Sequence, residues 1–572
     1  MTETEHIVGV LGRHSQKIGE RTAYTFGDGA DVSASLSFAQ LDRLARHTAV
    51  RLSRVALPGA RVLLTFPPGL EFLVGYLGCL YAGLVAVPLY PPGKRSSGTE
   101  RIKAIAADCR ARHCLTTEAL RTTLEEALAT PVPGQELSVQ VLDLVADELA
   151  ERWTAPAIGE RTLAFLQYTS GTTGAPKGVQ VSHGNLISNL RFIEQRFEHD
   201  ESSMLVSWLP QFHDMGLVGC TLSPLFTGFR CHLMAPTSFV QAPLRWLEAV
   251  TRHGATTSGA PTFGYRHCVE RIEDARIADL DLSSWNVAFV GAEPVSADVL
   301  DRFAQRFGAV GFRAAAFYPC YGLAESTLMV TGGKVMAGAS YFRCKTSGLQ
   351  QGIVEPAEDE SAKVLAGNGS PQAREELQIV DPETLVACEP GRVGEVWISG
   401  PSVAQGYWNR AELTETVFRA RISGDDRTFL RTGDLGLVVD GQLVITGRLK
   451  ELLIVHGRNH YPEDIERTAQ SVHPGMQQGR GAVFDAGDDG IYLIQEVVRT
   501  QVRTIDPEAA RRAIRRAVAE EHGVKLGFIG LARPGTLPVT SSGKIRRSAC
   551  LALVRAEGER EWEIAGAERA SA

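Results

Sequence analysis

The stretch YTSGTTGAPKG, Tyr168 to Gly178, follows an apolar run, Leu163 to Leu166, that reads as a buried strand. Gly171, Gly174 and Gly178 let the backbone come close to an anion, the hydroxyls of Thr169, Ser170, Thr172 and Thr173 donate hydrogen bonds, and Lys177 supplies a point charge. The pattern predicts a phosphate-binding loop. Pro176 before the lysine and Gly178 after it depart from the Walker register, in which Ser or Thr follows the lysine. The expected ligand is a nucleotide, held outside a P-loop NTPase framework. Taken alone, a Gly/Ser/Thr-rich run is a solvated linker between two strands, so the motifs around it carry the decision.

At 572 residues the chain is too long for one core; ~150 residues per domain suggests three or four units. With 44% apolar residues, 22% charged and a net charge of -7, it has the composition of an ordinary soluble protein. No basic stripe dominates any segment, which argues against nucleic acid as a partner. The cysteines, from Cys79 to Cys550, occur singly with no CxxC pair, and they read as reduced thiols of a cytoplasmic protein. The N-terminus MTETEHIVGV lacks the basic and apolar regions of a signal peptide.

Phe72 to Tyr90 carries no charge and approaches the ~20 residues of a membrane span. Gly75, Gly78, Gly83 and Pro88 interrupt it, however, and Gly83 sits where a helix from about Glu71 to Ala82 would stop before a strand, Leu84 to Val87. A buried helix and strand is expected, not an integral membrane protein.

Upstream, a helix near Ile7 and an extended run Thr22 to Phe26 precede Ser37 and Gln40, a capping-box pair whose helix has Leu41, Leu44, Ala45 and Leu52 on its apolar face. Val62 to Phe66 ends at Pro67 and Pro68, so Arg61 to Leu89 reads as strand, helix, strand, the unit of a parallel sheet. Leu186, Leu190, Ile193 and Phe197 fall at helical spacing and are expected in the core.

Further strand-to-turn sites follow. Val287 to Val290 runs into GAEP (Gly291, Ala292, Glu293, Pro294), Ala314 to Phe317 into YPCYGLAES (with Tyr321, Gly322, Ala324 and Glu325), and Gly394 to Ile398 reads as another strand. In open α/β sheets ligands collect where strands end at such turns, so a nucleotide pocket built by several of them is expected. Individually, Glu293 and Glu325 also suit a helix N-terminus, where the dipole favours an acid. FLRTGDLG places Asp434 in a glycine turn, and LPVTSSGKIRRSAC places Lys544 in a Ser-Ser-Gly loop.

YTSGTTGAPKG, GAEP, YGLAES, RTGDLG, GRLKELLIVHGRNHYPEDIE and TSSGKIRR, in this order, resemble the core motifs of the adenylate-forming (AMP-binding) superfamily. Within it, LAFLQYTSGTTG, SWLPQFHDMGL, AFYPCYGLAEST and GRNHYPEDIE are most similar to the fatty acyl-AMP ligases. The resemblance runs from about Leu36 to Cys550. It implies an α/β fold: a large N-terminal domain of packed mixed sheets and helices, residues 1–447, and a small mobile α+β C-terminal domain, residues 448–572, turning about a hinge close to Lys450.

The implied chemistry is attack of a fatty acid carboxylate on the α-phosphate of ATP, with Mg²⁺, giving acyl-AMP and pyrophosphate. Both reactants are anionic, so charge neutralisation is the central catalytic task. By resemblance, Thr169, Ser170, Gly171, Thr172, Thr173, Gly174 and Lys177 hold pyrophosphate, and Gly291, Ala292, Glu293, Gly322 and Ala324 line the nucleotide site. Tyr321 lies on adenine, Asp434 accepts from the ribose hydroxyls, Arg448 sits near ribose and phosphate, and Glu325 holds the metal. Lys544 bridges carboxylate and α-phosphate, and His213 stands at the mouth of the acyl pocket, though a hydrogen-bonded structural histidine is also an ordinary reading.

The second half-reaction implied by the resemblance passes the acyl group to the phosphopantetheine thiol of an acyl carrier protein acting in trans, feeding a polyketide or peptide synthetase. A long-chain acyl-CoA synthetase and a catalytically silent sensor are the alternatives; the sensor is disfavoured because Lys177, Glu325, Asp434 and Lys544 are all present. Two departures stand out. Ala324 replaces the threonine of many superfamily members, as it does in fatty acyl-AMP ligases. The stretch Gly338 to Glu376, with no helical or strand period, resembles their insertion but ends in LAGNG. Its apolar side chains, among them Tyr341, Phe342, Leu349 and Leu365, are expected to pack against the large domain.

Overall fold

The computed structural model describes residues 5–92, 96–128, 137–170, 176–359, 362–372, 376–539 and 545–557. Two large sheets organise the first four hundred or so residues. The six-stranded sheet runs in the order Ser138–Val141, His113–Thr116, Arg61–Thr65, Val85–Leu89, Leu163–Ser170 and Pro176–Ser182. Its strands are parallel except the last, which returns antiparallel from Leu163–Ser170. The seven-stranded sheet runs Phe317–Pro319, Val287–Val290, Thr257–Ala260, Met204–Ser207, Arg230–Met234, Thr22–Gly27 and Ala34–Ser37. It is parallel apart from the final hairpin. One apolar core, from Ile7 to Leu430, extends through both sheets.

The apolar segment is the helix Leu70–Tyr81 followed by the strand Val85–Leu89. Every helix residue except Glu71 is buried, because the helix lies between the sheets and lacks a polar face. Gly78 permits this: a Cβ there would fall 2.4 Å from Thr48 Cγ2 on the neighbouring helix Phe38–Ser53. Gly83, at φ +68, ends the helical stretch in the left-handed region as expected. Among the described residues no helix is long and apolar enough to cross a membrane. The Ser37/Gln40 capping box is formed, with Gln40 N on Ser37 Oγ at 3.2 Å and Ser37 N on Gln40 Oε1 at 2.8 Å.

Two local expectations need correction. Ala314 to Ala316 form a 3-10 turn, and the strand is Phe317–Pro319. Alanine has little preference for strands, while Pro319 is tolerated because this strand lies at the sheet edge. Gly338 to Glu376 is also more regular than its sequence suggests. Tyr341–Cys344 and Lys363–Ala366 pair antiparallel, with Phe342 opposite Leu365, and Thr346–Gln350 is a helical turn. Four-residue strands are too short to show a period of two.

The segment nevertheless has no core of its own, as expected. Cys344, Leu349 and Leu365 share a cluster with Leu437 and Val444 of the antiparallel sheet Glu376–Val380, Gly394–Ser399, Leu430–Val439, Gln442–Arg448. Tyr461, beyond that sheet, completes the cluster. A separate core, from Leu453 to Leu531, forms around the sheet Met476–Asp485, Ile491–Val497, Leu526–Ala532 and the helices Pro462–Ser471 and Pro507–His522.

Candidate active site

Tyr168–Ser170 and Pro176–Gly178 are the paired ends of two antiparallel strands. Tyr168 pairs with Gly178, Thr169 with Lys177 and Ser170 with Pro176, so the lysine is held on an antiparallel strand across from Thr169. A Cβ at position 178 would lie 2.9 Å from Tyr168 Cζ, so glycine is what lets the tyrosine ring cover this strand. Tyr168 in turn donates to Asp108 Oδ2 at 2.6 Å, anchoring the hairpin to the helix Ser96–Cys109. Gly171, Thr172, Thr173 and Gly174, the side chain of Ser170, and Lys544 lie outside the described residues.

Thr169 and Lys177 open onto a cavity of about 3080 Å³. The same cavity is lined by His213, Gly291, Ala292, Glu293, Tyr321, Gly322, Ala324, Glu325, Asp434 and Arg448. Residues separated by up to nearly three hundred positions therefore converge on one space.

Glu325 sits in the turn Ala324–Ser326, its main-chain carbonyl accepting from Ala404 N at 2.9 Å and its Oε1 accepting from the Tyr407 hydroxyl at 2.8 Å. Burial raises its carboxyl above the ordinary value, while the Tyr407 hydroxyl acts in the opposite direction. Just beyond, Thr327 adopts φ 67 and ψ -59, and Leu328 N donates to Ser326 O at 2.7 Å, a tight turn costly for a β-branched residue. Thr327 Oγ1 donates to Ser402 O at 2.7 Å, one of the contacts that hold the strained turn.

Asp434 and Arg448, remote in sequence, are register partners on adjacent strands. Asp434 accepts from Tyr321 Oη at 2.7 Å through Oδ2 and from Arg448 Nε at 2.9 Å through Oδ1, and its side chain is nearly buried. Beside this carboxylate Arg448 is held firmly protonated, and burial together with Asp434 pushes the Tyr321 phenol well up. The expected glycine turn at Asp434 is instead an irregularity within the strand Leu430–Val439: Gly433, at φ 73, lets the strand bulge without ending it, and Glu395 holds the bulge by accepting from Gly433 N at 3.0 Å, Trp397 Nε1 at 2.9 Å and Arg431 Nε at 2.9 Å.

Glu293 does what the simplest reading of an acid near a helix start predicts. Its Oε1 accepts from Phe263 N at 2.6 Å, in the first turn of the helix Thr262–Arg271. Ala292 beside it has φ 67, an uncommon conformation for a residue with a Cβ. His213 Nδ1 lies 2.6 Å from Asp214 Oδ1, at the start of the widened helical turns Met215–Leu222.

Sequence reasoning missed Tyr407 and Glu395. Tyr407 stands 82 positions from Glu325 in the run VAQGYWNR, and Glu395 begins an ordinary strand pattern. Neither carries a local signal.

Residues 11–408 match the AMP-binding enzyme family, and residues 450–555 match the Disco-interacting protein 2-like AMP domain. The chain is 39% identical over 566 residues to the medium-chain-fatty-acid–[acyl-carrier-protein] ligase JamA of Moorena producens, covering 96% of this chain and 95% of that relative. It is 35% identical to the long-chain-fatty-acid–AMP ligase FadD32 of Mycolicibacterium smegmatis, covering 96% of this chain and 94% of the relative. Among solved structures, a fatty acyl-adenylate ligase from L. pneumophila in complex with acyl adenylate and pyrophosphate is 37% identical, with a TM-score of 0.75 over 96% of each chain.

Proposed function

The chain belongs to the AMP-binding enzyme family, and on that premise we propose that it activates a fatty acid with ATP, releasing pyrophosphate, and passes the acyl group from acyl-AMP to the phosphopantetheine thiol of an acyl carrier protein. The observation that carries this reading is the convergence of Lys177, Glu325, Tyr321, Asp434 and Arg448 on one cavity.

In this reading Lys177 and the sequence Thr169 to Gly174 hold the β- and γ-phosphates. Burial and the neighbouring Lys450 lower the Lys177 amine, so a polyanion restores a field that favours its charge. Asp434 accepts from the ribose hydroxyls through lone pairs left over from Tyr321 and Arg448, since an ionised carboxylate offers about four acceptor sites. Tyr321 offers its ring to the adenine, and Arg448, whose side chain is half exposed, reaches the α-phosphate side. Lys544 neutralises the approach of carboxylate to α-phosphate. His213 borders the acyl entrance.

Glu325 fits a magnesium site. Mg²⁺ is commonly held by one or two carboxylates together with substrate phosphates, and among the described residues no group of three His, Cys, Asp or Glu forms a self-sufficient cage. When bound, the ion supplies charge neutralisation at the phosphates; Glu325 holds it, and Tyr407 orients Glu325.

A division into units 1–447 and 448–572 and a cytoplasmic location belong to the same proposal. The separate core from Leu453 to Leu531 supports the first and ten free cysteines the second. Incubation with ATP, Mg²⁺ and a panel of fatty acids, offered either CoA or a holo carrier protein, tests the function: acyl-AMP and acylated carrier are expected. Robust acyl-CoA formation would reassign the chain to the acyl-CoA synthetases.

A further inference from the structure

Tyr407 touches both charged residues proposed to face the phosphates. Its hydroxyl donates to Glu325 Oε1 at 2.8 Å, and Lys177 Nζ lies 5.4 Å from the centroid of its ring. Lys177 and Glu325 feel each other's charge, yet among the described residues they form no ion pair. In a partly desolvated cavity opposite charges that feel each other are drawn toward a direct pair, and a direct pair would offer neither charge to a ligand.

The Tyr407 ring is held from several sides. Tyr407 is 7% exposed, its N–H donates to Thr414 Oγ1 at 3.0 Å, and Phe418 packs edge-on at 5.0 Å. Its neighbours are tied to the strand that bears Lys177: Gln180 N donates to Gly406 O at 2.9 Å and Trp408 N to Gly178 O at 2.7 Å. On the other side the same segment holds the Glu325 turn, through Ala404 N and Ser402 O. The run from Ser402 to Trp408 is thus a wedge between the two motifs.

We propose that Tyr407 is a positioning residue that holds Lys177 and Glu325 apart and separately oriented, the cation toward the phosphate chain of the nucleotide and the carboxylate toward its divalent metal. The inference rests on the roles assigned above to Lys177 and Glu325.

Two variants separate the contacts: Tyr407→Phe keeps the ring and loses the hydroxyl, whereas Tyr407→Leu loses both. The readouts are the half-saturating Mg²⁺ concentration in ATP–pyrophosphate exchange, and ATP affinity by titration calorimetry in EDTA, with a thermal melt of each variant. Tyr407→Phe is expected to raise half-saturating Mg²⁺ about 10-fold, the scale of one hydrogen bond to a charged group, while ATP affinity in EDTA stays at the parent value. Tyr407→Leu should add a loss of ATP affinity in EDTA of about 3-fold, the scale of a cation–π contact. An unchanged magnesium requirement in Tyr407→Phe, or equal movement of both readouts in that variant, would overturn the inference. Lys177→Ala and Glu325→Gln serve as references. If neither alters ATP or magnesium binding, the underlying roles fall and the inference with them; if both do while Tyr407→Phe does not, the inference alone falls.

Discussion

The Tyr321 hydroxyl donates to Asp434 Oδ2 at 2.7 Å, joining the short strand Tyr321–Gly322 to a strand of the four-stranded antiparallel sheet. Because Arg448 occupies Oδ1, the carboxylate is already oriented before a nucleotide arrives. Pre-orientation of this kind would favour the two ribose bonds proposed for Asp434, with little further ordering.

Asp434→Ala should therefore weaken ATP binding by ~1.5 to 3 kcal/mol for each charge-assisted bond removed. The fatty-acid dependence should change much less. Titration calorimetry with ATP checks this, and an unaltered affinity would return Asp434 to a purely local role in its strand.

Lys544 and Arg547 should separate catalysis from stability. Arg547 is largely buried among three carboxylates: Glu466 at 2.9 Å, Glu463 at 3.1 Å and Glu451. Removing it leaves those charges unpaired, so Arg547→Ala should cost ~3 to 5 kcal/mol of stability, read as a lowered melting temperature. Lys544→Ala should leave the melt unchanged and reduce adenylation ~100-fold, the scale of one electrostatic donor at a reacting centre. Near-normal pyrophosphate release by that variant would refute the role given to Lys544.

Acid should destabilise the protein through buried histidines. Burial lowers His183 and His199 to about 3 and, with the stacked His253 adding its charge, His232 to about 4. His232 is held by Thr25 Oγ1 at 2.8 Å and Gly29 O at 2.9 Å, with the His253 ring stacked at 4.1 Å and Arg230 and Arg252 close to His253. In the unfolded chain these imidazoles take up protons below pH ~6.5. The folded state resists protonation, so their contribution is complete above ~6.5 and declines as pH falls toward 4, by up to ~1.4 kcal/mol per pH unit for each group. Denaturant melts between pH 7.5 and 4.5 should show this slope. Replacing His232 by Gln should make it shallower by one group's share.

Much of this architecture is legible because local and global signals agree. The Ser37/Gln40 cap, the stop at Gly83 and the strand-helix-strand run from Arg61 to Leu89 each depend on residues close together in the chain. The site turns are legible for the same reason, being short and rich in Gly and acids. What joins them is not. The Tyr407 bond to Glu325 and the Asp434–Arg448 register arise only when separate elements pack, and the hairpin of Tyr341–Cys344 with Lys363–Ala366 is stabilised by Leu437 and Val444, which lie far along the chain.

The hairpin of Tyr341–Cys344 with Lys363–Ala366 is also held by an ion pair. Lys363 Nζ lies 2.5 Å from Asp464 Oδ2 with both side chains largely buried, and it sits 4.5 Å over the Tyr461 ring. Asp464 and Tyr461 belong to the segment beyond Gly447, so the hairpin grips both sides of the proposed hinge. If that segment must turn to admit an acyl acceptor, the grip opposes rotation. Free CoA brings little docking energy to offset it, whereas a carrier protein contributes a surface of its own. Deleting Thr346 to Gly367 should therefore speed acyl transfer to CoA while acyl-AMP formation continues. The deletion also removes Leu365 from a core shared with Leu437 and Val444, so a milder variant is needed alongside it. Lys363→Met keeps the apolar stem over Tyr461 and removes the charge, and pairing it with Asp464→Asn avoids stranding a buried carboxylate. The double variant should raise CoA thioester yield at a matched adenylation rate, with carrier acylation little changed. Equal yields from parent and double variant would show that the ion pair does not restrain the acceptor step, and loss of adenylation in the deletion would mean that the hairpin serves the first half-reaction as structure.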